Sequence, residues 1–259
     1  MDIEEDGTGD HDDLRSCPED FELISRIGSG SFGTVFKVRR IQDGKTYVIK
    51  NVRISDLSKK EQMEAINEVD ILAKMDSPYV VKYFDSFIAH NCLQIVMEYC
   101  NKGDLQKMIK RAQKKEMSSL GEKSTWNIVI QIFLGMHYLH EHNVLHRDMK
   151  SANVFLLKDP SQDFYCIKIG ITAFTLSSSF CLPHARTLTG DLGVAKVLDS
   201  STAFAQSIVG TPYYLSPELC ADLPYRDKSD VWALGVILYE VRWGSPSGVC
   251  LCVTCQAVS

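Results

Sequence analysis

His146-Arg147-Asp148-Met149-Lys150-Ser151-Ala152-Asn153 is the stretch on which the reading of this chain turns. It follows Thr125–His142, which reads as a long helix. Within one short loop it gathers a carboxylate, a cation and an amide oxygen: a proton acceptor, a positive charge and a metal ligand. Chance is a poor explanation for so many specified residues in this order after a helix.

Upstream of the loop, apolar alternation marks strands. Phe21–Ile27 leads into Gly28-Ser-Gly30-Ser-Phe-Gly33-Thr-Val35, and Thr34–Arg40 reads as the returning strand. Asp43-Gly44 is a hairpin turn signal, and Thr46–Lys50 is the next strand. The glycine spacing G-x-G-x-x-G-x-V also opens dinucleotide-binding folds, but there a helix follows, whereas here a strand does. Glycines in such a turn let backbone N–H groups come close to phosphate oxygens. Leu57–Met75 reads as an amphipathic helix, with Met63, Ile66, Val69, Ile71 and Leu72 near one face and Glu68 at its centre. Val80–Ile88 and Leu93–Tyr99 are strand-like, and Leu105–Lys115 turns helical again. Five strands and one helix, then helices, predict an α+β chain with a small β-rich lobe joined to a larger α-rich one.

Downstream lie Asp191-Leu192-Gly193, then Gly210-Thr211-Pro212-Tyr213-Tyr214-Leu215-Ser216-Pro217-Glu218, and then Asp230–Val236, an acid heading an apolar helix. As a bare tripeptide, Asp-Leu-Gly carries no information; its weight comes from this order of segments.

Composition narrows the class. The 259 residues are 45% apolar and 24% charged, with a formal net charge of −5. That charge gives no support to a general nucleic-acid or membrane role. Met1–Asp13 is acidic and lacks the apolar core of a signal peptide, and no apolar run is long enough to span a bilayer. Nine scattered cysteines suggest free thiols in a reducing, intracellular and cytoplasmic setting. Cys250, Cys252 and Cys255 have no following histidine and no second Cys pair at zinc spacing, so a tail without structure is expected there.

From Phe21 to Tyr239 the chain resembles eukaryotic protein kinases and, within them, the NIMA-related kinases. The phrases that carry the likeness are LQIVMEYCNKGDL, HRDMKSANVFL, DLGVAKVLDSSTAFAQSIVGTPYYLSPE and YRDKSDVWALGVILYE. The resemblance implies a bilobal fold that binds Mg²⁺ and ATP in the cleft between its lobes and phosphorylates Ser or Thr on protein substrates. In that scheme Asp148 accepts the proton of the attacking hydroxyl, and Lys150 meets the charge of the γ-phosphate. Asn153 and Asp191 hold the metal, and Arg147 binds a phosphate on the activation segment. Ile27, Gly28, Gly30, Gly33, Val35, Val48, Lys50 and Glu68 belong to the ATP site. Met97 is the gatekeeper, and Glu98 and Cys100 present backbone groups to adenine. Ser207 stands where relatives carry a phosphorylated Thr, with Ser201 and Thr202 as secondary candidates. Lys150 and Thr211 follow the Ser/Thr pattern, not the Tyr pattern. Family analogy also suggests cytoskeletal or ciliary roles. No coiled coil or other oligomerisation segment is indicated.

Two stretches depart from the pattern. Ile171–Gly190 separates Ile167-Lys168-Ile169-Gly170 from Asp191, and its removal restores IKIGDLGVAK. Codon degeneracy permits splice signals at both of its glycine borders, so a retained in-frame intron is expected over a regulatory loop. After Glu240 the sequence loses helical period, and Val241-Arg242 is compatible with a read-through splice donor. The expected organisation is a disordered acidic segment at 1–17, an N-lobe and hinge at 18–100, a partial C-lobe at 101–240 and a non-family tail at 241–259. An unfinished C-lobe would leave Glu218 without its usual arginine and expose Trp232, Leu234 and Leu238. The rival to an active enzyme is a catalytically silent scaffold or nucleotide-binding pseudokinase, or the inactive product of a mis-spliced kinase gene. The full catalytic inventory argues against an evolved pseudokinase.

Overall fold

Apolar alternation along Phe21–Arg40 closes into the first hairpin. In the computed structural model, β1 (Phe21–Gly30) pairs antiparallel with β2 (Gly33–Arg40), ending at Gly30 opposite Gly33. The structure is described at residues 16–30, 33–55, 58–115, 120–161, 164–171, 212–221 and 223–244. The Asp43-Gly44 turn forms as expected: Gly44 has φ 65°, and the N–H of Arg40 donates to the carbonyl of Lys45 at 2.9 Å. It delivers β3 (Thr46–Arg53), which pairs antiparallel with β2. With β4 (Tyr83–Ala89) and β5 (Cys92–Glu98) these strands form one sheet in the order β1-β2-β3-β5-β4.

The chain divides into two compact units, 1–56 with 84–97, and 57–83 with 98–259. The first unit is the sheet. Its core is Val38, Tyr47, Ile49 and Val96, with Phe21, Phe36 and Phe87 packed against them. Phe21 stacks on Phe87 at 6.2 Å between ring centroids, and the Tyr47 hydroxyl donates to Asp43 at 2.7 Å. The tyrosine is thereby buried with its polar end satisfied.

The second unit is mostly helical. It contains α1 (Lys59–Ala73), α2 (Leu105–Lys114) and α3 (Glu122–Glu141), followed by the hairpin β6 (Val154–Leu157) and β7 (Cys166–Ile169). The short α4 (Pro217–Cys220) and the long α5 (Asp227–Trp243) complete it. Leu105, Ile132, Met136, Leu139, Ile169 and Ile237 lie at the centre of its core, each at most 2% exposed. Among the described residues, no helix is long and apolar enough to cross a membrane.

Four expectations need correction. The face that α1 buries is Ala65, Val69 and Leu72, whereas Met63 and Ile66 are 59% and 39% exposed. Residues at i, i+4 and i+7 stack on one side of a helix, and Met63 and Ile66 fall off that line. β4 starts at Tyr83, later than the Val80 that alternation suggested. Val80 is 2% exposed, bridges to Ile169, and is followed by Val81, whose N–H donates to the Ile169 carbonyl at 2.9 Å. Val80 serves the core of the second unit, and Val81 is tied to it through its backbone, so neither joins the sheet. α5 does not stop at Glu240 but runs on to Trp243, with Val241 2% exposed in the core. Its buried positions 233, 234, 237 and 241 keep the helical period, so Leu234 is covered, while Trp232 and Leu238 are half-buried. Finally, Glu218 is half-buried and accepts the Ser229 hydroxyl. Desolvation pushes its carboxyl up, but Ser229 and nearby donors outweigh that and leave it below the ordinary carboxylate value. A local serine therefore gives this carboxylate a partner within the described residues.

Candidate active site

The loop begins where α3 ends. His142 and Val144 donate their N–H groups back to the carbonyl of Leu139 at 3.1 and 2.9 Å, which turns the chain towards His146. His146 is fully buried, and burial holds its imidazole below the ordinary histidine value, against the nearby Asp230 charge. The neutral ring has one tautomer that satisfies its surroundings. Nδ1 accepts the Asp148 N–H at 3.3 Å, so Nε2 carries the proton and donates to the Gly170 carbonyl at 3.1 Å. A Cβ at Gly170 would lie 2.3 Å from the Phe155 ring, so any larger residue there would have to displace that ring.

Arg147 adopts a left-handed backbone, φ 62°. A side-chain-bearing residue pays roughly 1–2 kcal/mol for that conformation. What fixes it is Asp230, at the head of α5. Its Oδ1 accepts the Arg147 N–H at 3.0 Å and its Oδ2 the His146 N–H at 3.0 Å. Tyr225 donates its hydroxyl to the same carboxylate at 2.5 Å, and the His140 ring reaches it at 2.8 Å. Burial pushes the Asp230 carboxyl up, yet these donors together hold it below its ordinary value. Burial beside that negative charge raises the Tyr225 phenol. The sequence marks Asp230–Val236 as a segment headed by an acid, and Asp230 is the residue that anchors the loop; Tyr225 and His140 were not singled out.

With its backbone fixed, the loop turns three side chains outward together. Lys150 Nζ sits 2.8 and 2.9 Å from the two carboxylate oxygens of Asp148. Asn153 Nδ2 donates to the Asp148 carbonyl at 2.7 Å and to its Oδ2 at 2.9 Å. The Asp148 and Lys150 side chains are 38% and 39% exposed, open enough to meet a ligand. Asn153 spends its amide nitrogen on Asp148, which leaves its amide oxygen as an atom that could ligate a hard cation.

The inner side of the loop has a second anchor. Tyr214 places its hydroxyl 3.1 Å from both the N–H and Oγ of buried Ser151, and donates to buried Glu240 on α5. Burial, then the Glu240 charge, raises the Tyr214 phenol well above the ordinary tyrosine value. Lys168 of β7 pairs with Glu98 at 2.9 Å, with side chains only 11% and 21% exposed. Burial, and next the Glu98 charge, pushes the Cys100 thiol up to about 12, so it stays protonated and unreactive at neutral pH.

In the first unit, the β2–β3 register sets Val35 opposite Lys50 and Lys37 opposite Val48, and Gly28 pairs with Val35 across β1–β2. The glycine motif and Lys50 are thus joined through one stretch of ladder. Gly33 has φ 134°, and a Cβ there would lie 1.8 Å from the Asn51 carbonyl oxygen, so no other residue fits. Val48 is 9% exposed, Ile27 46%, and Met97 is half-buried near the end of β5. Glu68 lies on α1 in the second unit, and its side chain is outside what is described. Asp191, Ser201, Thr202 and Ser207 lie outside the described residues, as do Cys250, Cys252 and Cys255.

Comparison with known proteins agrees with this geometry. The protein kinase domain family matches residues 21–247. The chain belongs to the protein kinase family. Its relatives are NIMA-related kinases. It is 40% identical over 223 residues to the mouse serine/threonine-protein kinase Nek1, covering 86% of this chain and 16% of that one. It is 39% identical over 224 residues to a probable serine/threonine-protein kinase nek3 of Dictyostelium discoideum, covering 85% and 18%. Human serine/threonine-protein kinase Nek2 is 37% identical over 235 residues, covering 88% and 47%. The chain therefore spans less than half the length of these relatives. ATP is the co-substrate that the kinase family implies.

Proposed function

We propose that this chain transfers the γ-phosphoryl group of ATP to Ser or Thr hydroxyls of protein substrates. The observation that carries the reading is the outward cluster of Asp148, Lys150 and Asn153 on a loop whose backbone is tied down by Asp230. Phosphoryl transfer needs little covalent help and depends on positioning and charge. Asp148 takes the proton from the substrate hydroxyl as that oxygen attacks phosphorus and the bond to the ADP oxygen breaks. Lys150, already against Asp148, places its charge beside the transferred group. The glycine hairpin offers backbone N–H groups to the phosphates, and Lys50 adds its charge to them. The backbone groups of Glu98 and Cys100 serve adenine.

Mg²⁺ suits the oxygen donors available, the amide of Asn153 and the carboxylate of Asp191, and when bound it neutralises phosphate charge. Arg147 receives a phosphate on the activation segment, at Ser207 before Ser201 or Thr202. The 171–190 stretch interrupts the link between β7 and Asp191, and its excision raises the rate by restoring preorganisation of the metal ligand.

The test is transfer of label from γ-labelled ATP and Mg²⁺ to dephosphorylated casein, followed by phosphoamino-acid analysis. Label on Ser or Thr is expected, stronger in the chain lacking 171–190. Absence of label from both forms would contradict the reading.

A further inference from the structure

The exposed face of α2 carries a charge pattern that the proposed reaction does not use. Residues 101–115 hold six Lys or Arg, namely Lys102, Lys107, Lys110, Arg111, Lys114 and Lys115, against one acid, Asp104. The whole chain has 28 Lys and Arg and 33 Asp and Glu, so outside this stretch 22 cations face 32 carboxylates. A segment with five net positive charges thus stands on a chain that is otherwise at minus ten. All six basic residues are exposed.

Helix geometry sharpens the pattern. Lys107, Lys110, Arg111 and Lys114 recur at i, i+3, i+4 and i+7, which makes one continuous stripe about 10 Å long. Leu105 and Ile109 lie away from it and are buried in the core. Folding does not explain the stripe. It contains two like-charge pairs at i,i+3 and two at i,i+4, each unfavourable to the helix by about 0.2–0.5 kcal/mol. The dipole rewards Arg111 and Lys114 in the last turn, but not Lys107 and Lys110. Asp104 offsets one charge only: it caps α2 through the Lys107 N–H at 2.8 Å and pairs with Lys107 Nζ at 2.8 Å. Lys110 reaches only the neutral Gln106, at 3.4 Å. Among the described residues, no carboxylate pairs with Lys102, Lys110, Arg111, Lys114 or Lys115.

We infer that this face of α2 is a docking surface for an acidic, Asp/Glu-rich segment of a partner protein. The stripe's length selects that class. Three or four extended acidic residues, at about 3.4 Å each, cover the stripe without running on over the net-negative remainder of the chain. A nucleic-acid strand carries its charges well past the stripe and meets the repulsion of the net-negative remainder. Insertion into a membrane surface needs an apolar face, and that of α2 is already buried in the core. The inference does not rest on phosphoryl transfer, since binding is read without ATP.

The experiment uses the full chain and a fluorescein-labelled tetraglutamate peptide, followed by anisotropy at low and physiological salt. A tetraglutamine peptide is the control. Saturable binding is expected, weakened roughly tenfold or more at the higher salt and likewise in Lys110→Gln/Arg111→Gln/Lys114→Gln. Glutamine is a good helix former, so the variant's circular dichroism and melting midpoint should match those of the parent. Should the triple variant unfold, Lys110→Gln and Lys114→Gln alone each weaken binding by about twofold or threefold under the same salt dependence. The inference is overturned by absent saturable binding or by equal binding to the variants. Tighter capture of tRNA or phosphatidylserine vesicles through the same three residues also overturns it.

Discussion

The two sides of the catalytic loop are built on opposite principles. The outer side, Asp148, Lys150 and Asn153, is half-open, and its partners lie within five positions of one another. The inner side, His146 and Ser151, is fully buried and held by groups 63 to 84 positions downstream, Tyr214 and Asp230. Both sides are networks around a carboxylate, yet one must stay accessible to exchange a proton and the other must never let go of the backbone. Substitutions on the outer side should therefore change rate and spare stability, and those on the inner side should cost stability first.

The largest stability effect is expected at Asp230. Asp230→Ala leaves the N–H groups of His146 and Arg147 and the Tyr225 hydroxyl without their acceptor, and frees Arg147 from its left-handed backbone. Urea unfolding should show a loss of about 3 kcal/mol or more. A loss within experimental error would erase the distinction between the two sides. Tyr214→Phe comes next. It strips buried Glu240 and Ser151 of a shared partner and should cost about 1–3 kcal/mol in the same assay. Ser151→Ala keeps the backbone N–H bond and removes only the Oγ contact, so about 1 kcal/mol or less is expected.

The smallest effect is a pH dependence. His146 is held neutral by burial, below the ordinary value of 6.5. The unfolded chain therefore takes up the proton first as pH falls. Stability contributed by the neutral ring is complete above about 6.5 and declines as pH drops from there towards the folded value. Asp230, held below its ordinary value, loses its contribution only in more acidic solution, as pH falls through about 3.9 towards its own folded value. Unfolding free energies measured from pH 7.5 to 5.5 should decline in the parent and flatten in His146→Gln. An equal slope in both would assign the decline elsewhere.

The same contrast explains what the sequence made legible. The outer cluster and the glycine hairpin were readable because their residues act on near neighbours: Asp148 with Lys150 and Asn153, and Gly33 beneath the Asn51 carbonyl. Alternation likewise placed the strands of the sheet. The inner anchors bridge long loops, and nothing periodic in the sequence ties Asp230 to His146, Glu240 to Tyr214 or Lys168 to Glu98. Apolar residues misled where they joined another core or stayed exposed. Val80 and Val81 look like strand but answer to Ile169, and Met63 and Ile66 look like a helix face but lie outside the line of buried residues. Glu240 seemed to end the family-like helix, yet Val241 still reaches the core.

The most direct test of the account is the initial rate of γ-phosphoryl transfer by Asp148→Asn relative to the parent, each normalised to its folded fraction from the same urea titration. The account predicts a fall of about 10²–10⁴-fold with an unchanged unfolding midpoint, because a half-exposed general base is lost and no buried anchor is touched. A variant that transfers phosphate as fast as the parent, or that loses rate only in proportion to lost stability, would contradict it.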